Sequence, residues 1–204
     1  RKYLCLIVYN IYFYNLEFFI YNIYNDLMTY RNRKMLYRIK QFYYALFAKV
    51  KKSEYAWVAK TLNNQEFALF SKQPLAEQRH AIDVALEIYN QQNLVKSLYG
   101  IDQYNNLLKA ALLHDCGKSL IKYRLRHRVI IVLTRYFPEK YKNNLIKHRT
   151  ALGRILLLDN LHPKWGRHLA AKAGANIDIQ KLILNHHNPS NQVEQLLAKY
   201  DNKH

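Results

Sequence analysis

The sequence predicts an all-α fold, and two features of its composition carry that prediction. Half of the 204 residues are apolar, while only five glycines and four prolines interrupt them. So few turn residues favour long helices over the closely spaced turns of β-sandwiches and barrels. The length suits one well-cored domain, with or without an appendage.

The charge balance predicts an anionic partner. Lys and Arg total 32 against 14 Asp and Glu, which gives a formal net charge of +18. Such a surplus attracts phosphates, nucleic acid or an anionic membrane surface, although it also occurs on faces that are simply solvated. Cys5 and Cys116 lie far apart without metal-site spacing, which predicts a reducing compartment and therefore the cytoplasm.

Residues 1–34 differ in composition from the rest of the chain, because they contain no Ala, Gly, Pro, Gln or His. Polar residues such as Asn10, Glu17 and Asp26 interrupt residues 4–27 too often for a transmembrane span. We expect an atypical N-terminal segment, either upstream read-through before Met35 or a helix that packs on the domain or on a membrane surface. Residues 35–69 are interpreted as a helical lead-in, and residues 70–204 as the main domain.

Helical periodicity predicts the elements that follow Met35. Apolar faces indicate helices over residues 36–50 and 54–62, the second ending at Asn63-Asn64. A third helix follows Pro74, which is a start signal, and it places His80 at the rim of its buried stripe.

Residues 103–116 form the next predicted helix. One side of it is apolar, and Gly117 is a natural terminator. His114 and Asp115 therefore fall in the last turn, beside the buried face. From Lys118 to residue 154 the chain holds eleven Lys or Arg residues and one acid. Such a basic face would steer an anionic substrate toward a nearby site, or bind nucleic acid.

Four more helices are predicted toward the C-terminus. Residues 140–158 form one, and residues 162–174 form another that opens at a His-Pro pair. The segment IDIQKLILNHHNPS is a short helix that runs into two histidines. In the last helix, Asp201 shares a face with Val193 and Leu197 at i, i+4 and i+8. An aspartate on an apolar face needs a charge partner or a metal, because its burial is otherwise unfavourable.

Five separate helices or helix ends thus offer a side chain that can bind a metal. A lone histidine near an apolar face is usually a hydrogen-bonded core or rim residue, and we expect His127, His148 and His168 to be of that kind. Neutral imidazole and carboxylate together suit a divalent ion such as Mn, Fe or Zn, while the lack of thiolates argues against a Cys-rich structural zinc site. The candidates are His80, His114 with Asp115, His162, His186 with His187, and Asp201.

This series of motifs resembles the HD superfamily of metal-dependent phosphohydrolases, in its HDIG type. The motifs are QRHAIDVALEI, ALLHDCGKS, HPKWGRHLA, ILNHHN and LLAKYDN, and they extend over roughly residues 70–202. The resemblance implies an HD-domain helical bundle over residues 70–204. It also implies hydrolysis of a phosphomonoester or phosphodiester, with a nucleotide as the expected substrate, through a metal-activated water.

The resemblance also implies roles for individual residues. Asp115 would be catalytic and bridge two ions, and Lys118 would meet a phosphate oxygen as a point charge, unless it is an ordinary lysine near a helix C-terminus. Asn188 and Pro189 replace the acidic residue and glycine-rich segment of the cyclic-dinucleotide branch, so cyclic di-GMP is not the expected substrate. The implied metal ligands are His80, His114, Asp115 and Asp201 for a primary ion, with His162 and His186 for a second.

A function from another class competes with the enzyme. It is a basic module that binds RNA or an anionic membrane, in which the metal site is structural only. The sequence contains no zinc finger, glycine-rich phosphate loop or RNP-type motif to support it, and its tyrosines are spread over several helices. The expected partner is therefore a phosphate-containing small molecule. The native metal and the oligomeric state stay open.

Overall fold

The computed structural model describes residues 48–120, Ile131, Thr134 and residues 137–204. Within these ranges every regular element is a helix, which confirms the predicted all-α class. None of the helices described is both long enough and apolar enough to cross a membrane. The atypical segment of residues 1–34 lies outside the described residues, as does most of the helix predicted over residues 36–50, whose residues 48–50 are not helical.

The described residues form eight α-helices and one short 3-10 helix. Asn63, Thr150, Asn176 and Asn191 each start a helix by accepting a hydrogen bond from a backbone N–H of its first turn. The elements are α1 (Lys52–Thr61), α2 (Asn64–Ser71), α3 (Leu75–Asn90), α4 (Gln92–Leu113), the 3-10 helix (Cys116–Leu120), α5 (Glu139–Lys147), α6 (Ala151–Lys172), α7 (Ile177–Asn185) and α8 (Gln192–Lys203).

Helix α4 is the centre of the core, because it packs against α3, α7 and α8. Its residues Leu107 and Leu112 are fully buried, together with Ile82 of α3, Ile183 of α7 and Leu197 of α8. Each such side chain contributes about 1.5–3 kcal/mol by leaving water. The same packing brings the ends of α4 and α7 close to α3, to the middle of α6 and to the last turn of α8.

The 3-10 helix lies against α6 at a distance that only glycine permits. A Cβ atom on Gly117 would stand 2.0 Å from the carbonyl oxygen of His162 and 2.8 Å from the backbone nitrogen of Gly166. The prediction that Gly117 terminates a helix was wrong. Helix α4 ends at Leu113, and Gly117 lies inside the 3-10 helix without the positive φ of a terminating glycine.

The predicted end of a helix at Asn63-Asn64 is confirmed, since α1 ends at Thr61. The Asn63 side chain then caps α2, a helix that was not predicted. Helix α4 begins at Gln92, before the predicted start at residue 103, and non-helical angles at Gly100 (φ 82°, ψ 166°) divide it into two helical parts. Residue 100 can take this conformation because glycine has no Cβ. The helix predicted after Pro74 is confirmed as α3.

The helices predicted over residues 140–158 and 162–174 are divided differently. The chain breaks at Arg149, where φ is 49°, and α6 then runs without interruption through Pro163. An interior proline leaves the carbonyl four residues earlier without its backbone donor. Here that carbonyl belongs to Asp159, and His162 Nδ1 lies 2.6 Å from its oxygen. The predicted end at Gly174 is confirmed, since Gly174 and Ala175 donate to the carbonyls of Ala171 and Ala170.

We expect Gly117→Ala to lower the free energy of unfolding by about 3 kcal/mol, because backbone atoms of α6 must move away from the added methyl group. Gly174→Ala is the matched control. It meets only ordinary contacts but has φ +82°, and it should lose about 1 kcal/mol from backbone strain. Urea unfolding of both variants measures the difference. Equal losses would contradict the close approach of the 3-10 helix to α6.

Candidate metal centre

The predicted ligand residues lie together in the interior, although they come from five separate parts of the chain. One comes from α3, two from the turn after α4, one from α6, one from the end of α7 and one from α8. Contacts of 2.8–3.5 Å connect them in one continuous series. In the order of the chain they are His80, His114, Asp115, His162, His186 and Asp201.

The first group of ligand atoms surrounds His114, which is fully buried. Its Nε2 lies 3.3 Å from Asp201 Oδ1 and 3.5 Å from Asp115 Oδ2. His80 Nε2 lies 2.8 Å from the same Asp201 oxygen. One ligand atom each from His80, His114 and Asp115 falls within 4.8 Å of the others. With Asp201, these are the residues that the resemblance assigns to a primary ion.

The second group surrounds His162. Its Nε2 lies 3.3 Å from His186 Nε2 and 3.2 Å from His187 Nε2, and the three rings can share one ion. Asp115 Oδ1 lies 3.2 Å from the same nitrogen of His162, so Asp115 joins the two groups. His187 was among the predicted candidates, but the resemblance assigned it to neither ion. Its position directly after His186, at the end of α7, is the signal that could have added it to the second ion.

Three of the histidines are oriented in the same way. Each ring donates from Nδ1 to the carbonyl three residues earlier, over 2.9 Å for His114, 2.6 Å for His162 and 2.7 Å for His186. These bonds fix the rings and direct their Nε2 atoms into the centre. A hydrogen bond at one ring nitrogen also determines that the other nitrogen is the one available to a metal.

The residues present fit a divalent cation. The Nε2 atom of His114 is buried and makes no aligned hydrogen bond within the described ranges, and a buried nitrogen of this kind normally has a partner. Two further imidazoles, those of His80 and His186, and the carboxylates of Asp115 and Asp201 lie around it. A set of imidazole and carboxylate donors without a thiolate suits Mn, Fe or Zn.

Comparison with known families identifies the domain. The sequence model of the HD domain matches residues 78–202, which is more than half of the chain. The chain belongs to the HD domain family. Its match confirms the resemblance and the HD-type helical bundle, and members of this family are generally hydrolases that bind divalent metals. Searches of curated proteins and of solved structures gave no match.

Opposite charges at close range set the electrostatics of this HD site in the metal-free protein. Burial lowers the pKa of His114, but the carboxylates of Asp115 and Asp201 outweigh it and raise that pKa to about 9. Burial alone would raise the pKa of the Asp115 and Asp201 carboxyl groups. Their cationic neighbours outweigh burial, so both pKa values lie well below the usual range. His186 behaves oppositely, because burial and the charge of His114 hold its pKa well below the usual range.

Lys118 and Glu77 extend the HD site beyond the metal ligands. Lys118 Nζ lies 2.7 Å from Asp115 Oδ2 and 3.3 Å from Glu77 Oε2, with only 12 % of its side chain exposed. It is therefore not an ordinary surface lysine. Glu77, which is buried, was not among the predicted site residues. Its spacing of three residues from His80 on α3, which puts both on one helix face, is the signal that could have found it.

Several other histidines and the cysteine of this region lie away from the site. His148 and His168 were expected to be core or rim residues, but both are exposed; His127 lies outside the described residues. Cys116 is buried with its sulfur 3.6 Å from the Gly166 carbonyl oxygen. Burial raises the pKa of this thiol far above its usual range, so it is a packing residue rather than a nucleophile.

We expect the affinity of the protein for Mn²⁺ to rise with pH between neutrality and about pH 9, the pKa of His114. Below that pH the metal-free protein holds a proton on His114, which a metal must displace, so the affinity should rise up to about tenfold per pH unit. The neighbouring carboxyl groups are already ionised at pH 7 and add nothing to this dependence. Calorimetric titration in buffers of different ionisation enthalpy measures the released proton. A flat affinity over this range would contradict the prediction.

Proposed function

We propose that this HD domain is a metal-dependent phosphohydrolase that cleaves a phosphomonoester or phosphodiester of a nucleotide. The observation that carries the proposal is the arrangement of two groups of histidines on either side of one buried aspartate. Membership of the metal-dependent phosphohydrolase superfamily is supported by the family match and by the candidate metal ligands.

We assign a primary ion to His80, His114, Asp115 and Asp201. A second ion is assigned to His162 and His186, with His187 added to the set predicted from the sequence. What supports a shared role for Asp115 is that its two carboxylate oxygens face different groups: Oδ2 lies 3.5 Å from His114 Nε2, and Oδ1 lies 3.2 Å from His162 Nε2.

A divalent ion bound there would lower the pKa of a coordinated water toward neutrality and would neutralise charge on phosphate oxygens. The chain itself would supply the orientation of the imidazoles and the charge that attracts the substrate. Lys118, held beside Asp115, is proposed to contact a phosphate oxygen. The basic segment from Lys118 to Arg154 is proposed to steer the anionic substrate, an effect that salt weakens.

Mn, Fe and Zn are the proposed metals, because the donor set combines imidazole nitrogen with carboxylate oxygen. A phosphate-containing small molecule is the proposed partner, and the cytoplasm the proposed location. No contact among the described residues favours the RNA-binding or membrane-binding module over the enzyme. That module stays a prediction, which the next experiment also tests.

Replacing both residues of the central pair, His114→Ala with Asp115→Ala, should abolish metal-stimulated hydrolysis of model phosphoesters. Metal assistance contributes several kcal/mol to the transition state, so the rate should fall by about 10³-fold. Elemental analysis should find one to two equivalents of Mn, Fe or Zn in the wild type and almost none in the double variant. Each protein is assayed after reconstitution with these metals.

His168→Ala is the matched control for His162→Ala, because both residues lie on α6 and only His162 points into the site. The control should keep both metal and activity, while His162→Ala should lose the second equivalent. Hydrolysis that survives in the double variant would refute the enzyme. RNA binding with a steep salt dependence, without turnover by any metal, would instead favour the binding module.

Lys118→Ala should separate metal binding from turnover. The lysine competes with a cation for Asp115, so its removal should leave the Mn²⁺ affinity unchanged or higher. Loss of a charge that contacts the substrate should lower kcat/KM by about 10²-fold. Lys199→Ala, on the exposed side of α8, is the control and should change neither value. A loss of metal affinity in Lys118→Ala would show that the lysine only supports the ligands.

A further inference from the structure

Pro163 occupies a position where a proline is strongly unfavourable. It lies inside α6, nine residues before the helix ends at Lys172. An interior proline removes one hydrogen bond of the helix, and its ring pushes away the carbonyl four residues earlier. Pro163 is also buried, so its presence is not explained by a tolerant surface position.

The carbonyl that Pro163 leaves without a backbone donor is the one that holds His162. In a regular helix, the N–H of residue 163 would donate to the carbonyl oxygen of Asp159. That oxygen instead lies 2.6 Å from His162 Nδ1. The side chain next to the proline has therefore taken the acceptor that the proline released.

The two other histidines with this geometry obtain their acceptors in another way. His114 and His186 each follow the last residue of a helix, α4 and α7. The last four carbonyls of any helix lack intrahelical donors, and both rings bond to one of them. His162 makes the same bond in the middle of a helix, where a free carbonyl is otherwise absent.

We propose that Pro163 is a positioning residue that orients the His162 ring by withholding a backbone donor from Asp159. The proline thereby reproduces, inside α6, the acceptor that a helix end provides to the other two rings. Because Nδ1 of His162 donates to the Asp159 carbonyl, its Nε2 faces Asp115, His186 and His187. The inference rests on the proposed role of His162 as a metal ligand, because orientation matters to function only if Nε2 binds an ion.

The test compares two residues at position 163 that carry the same side chain, one with a backbone N–H and one without. Pro163→Ala restores an N–H that competes for the Asp159 carbonyl. Suppression of a nonsense codon at position 163 with the α-hydroxy analogue of alanine gives the same methyl side chain on an ester bond, which has no N–H. Both proteins are made as full chains, with Lys164→Ala as a control on the same turn that keeps the proline.

We expect Pro163→Ala to weaken Mn²⁺ binding by about tenfold, as is typical when a partner of a metal ligand is lost. The ester protein should bind Mn²⁺ like the wild type, as should Lys164→Ala. In the metal-free wild type, ¹⁵N NMR of the ring nitrogens should show a proton on Nδ1 of His162. In metal-free Pro163→Ala it should show a mixture of Nδ1 and Nε2 protonation.

Three results would overturn the proposal. The first is an unchanged ring state and Mn²⁺ affinity in Pro163→Ala. The second is a wild-type His162 ring without a proton on Nδ1, which can be measured even if the variant does not fold. The third is an ester protein that behaves like Pro163→Ala, since the effect would then come from the lost proline ring and not from the donor. Failure of the wild type to bind any divalent ion would instead refute the proposed function, while the metal-free NMR comparison would still test Pro163.

Discussion

The close approach of the 3-10 helix to α6 is the constraint on which the metal centre depends. Gly117 stands where any side chain would overlap the carbonyl oxygen of His162. Because Gly117 follows Asp115 by two residues, this contact fixes how far the Asp115 carboxylate reaches toward α6. It reaches far enough for one oxygen to lie 3.2 Å from His162 while the other stays beside His114. A wider separation of the two helices would leave two unconnected groups of histidines.

The second principle of the centre is the use of free backbone carbonyls to aim imidazole rings. Helix ends leave carbonyls without donors, and the chain places His114 and His186 directly after α4 and α7 to use them. The ends of α4 and α7 therefore do more than terminate helices. Each presents a ring whose Nδ1 is satisfied and whose Nε2 points inward. Orienting partners of this kind keep rings from rotating and so reduce the entropy lost when an ion is bound.

The buried charges of the centre explain why its residues act as a unit. Asp115, Asp201 and Glu77 carry negative charge into the interior, and Lys118 and His114 balance it at distances of 2.7–3.5 Å. Removing one charged residue leaves its partner buried and unpaired. This lowers the stability more than replacing both charged residues by apolar ones. The same balance raises the pKa of His114 to about 9, so a metal ion would replace a proton rather than enter a neutral cavity. Metal binding at this centre would then release a proton.

The sequence by itself determined the helical class, the position of most helices and the set of residues that meet in the interior. Helical periodicity and caps are local properties that can be read from the sequence. The spacing of the motif residues follows a family pattern that is also visible in the sequence; these residues are His80, His114-Asp115, His162, His186 and Asp201. Only the tertiary structure decided why Gly117 is glycine, that α6 continues through Pro163, and that Lys118 lies between Asp115 and Glu77. Two of these depend on atoms from distant parts of the chain: a carbonyl of α6 against the 3-10 helix, and Glu77 of α3 against Lys118. At Pro163 the His162 ring takes the oxygen of Asp159, three residues earlier, which only the packed ring position shows. Contacts between distant segments leave no periodic trace along the chain, and so they became visible only once the helices were packed.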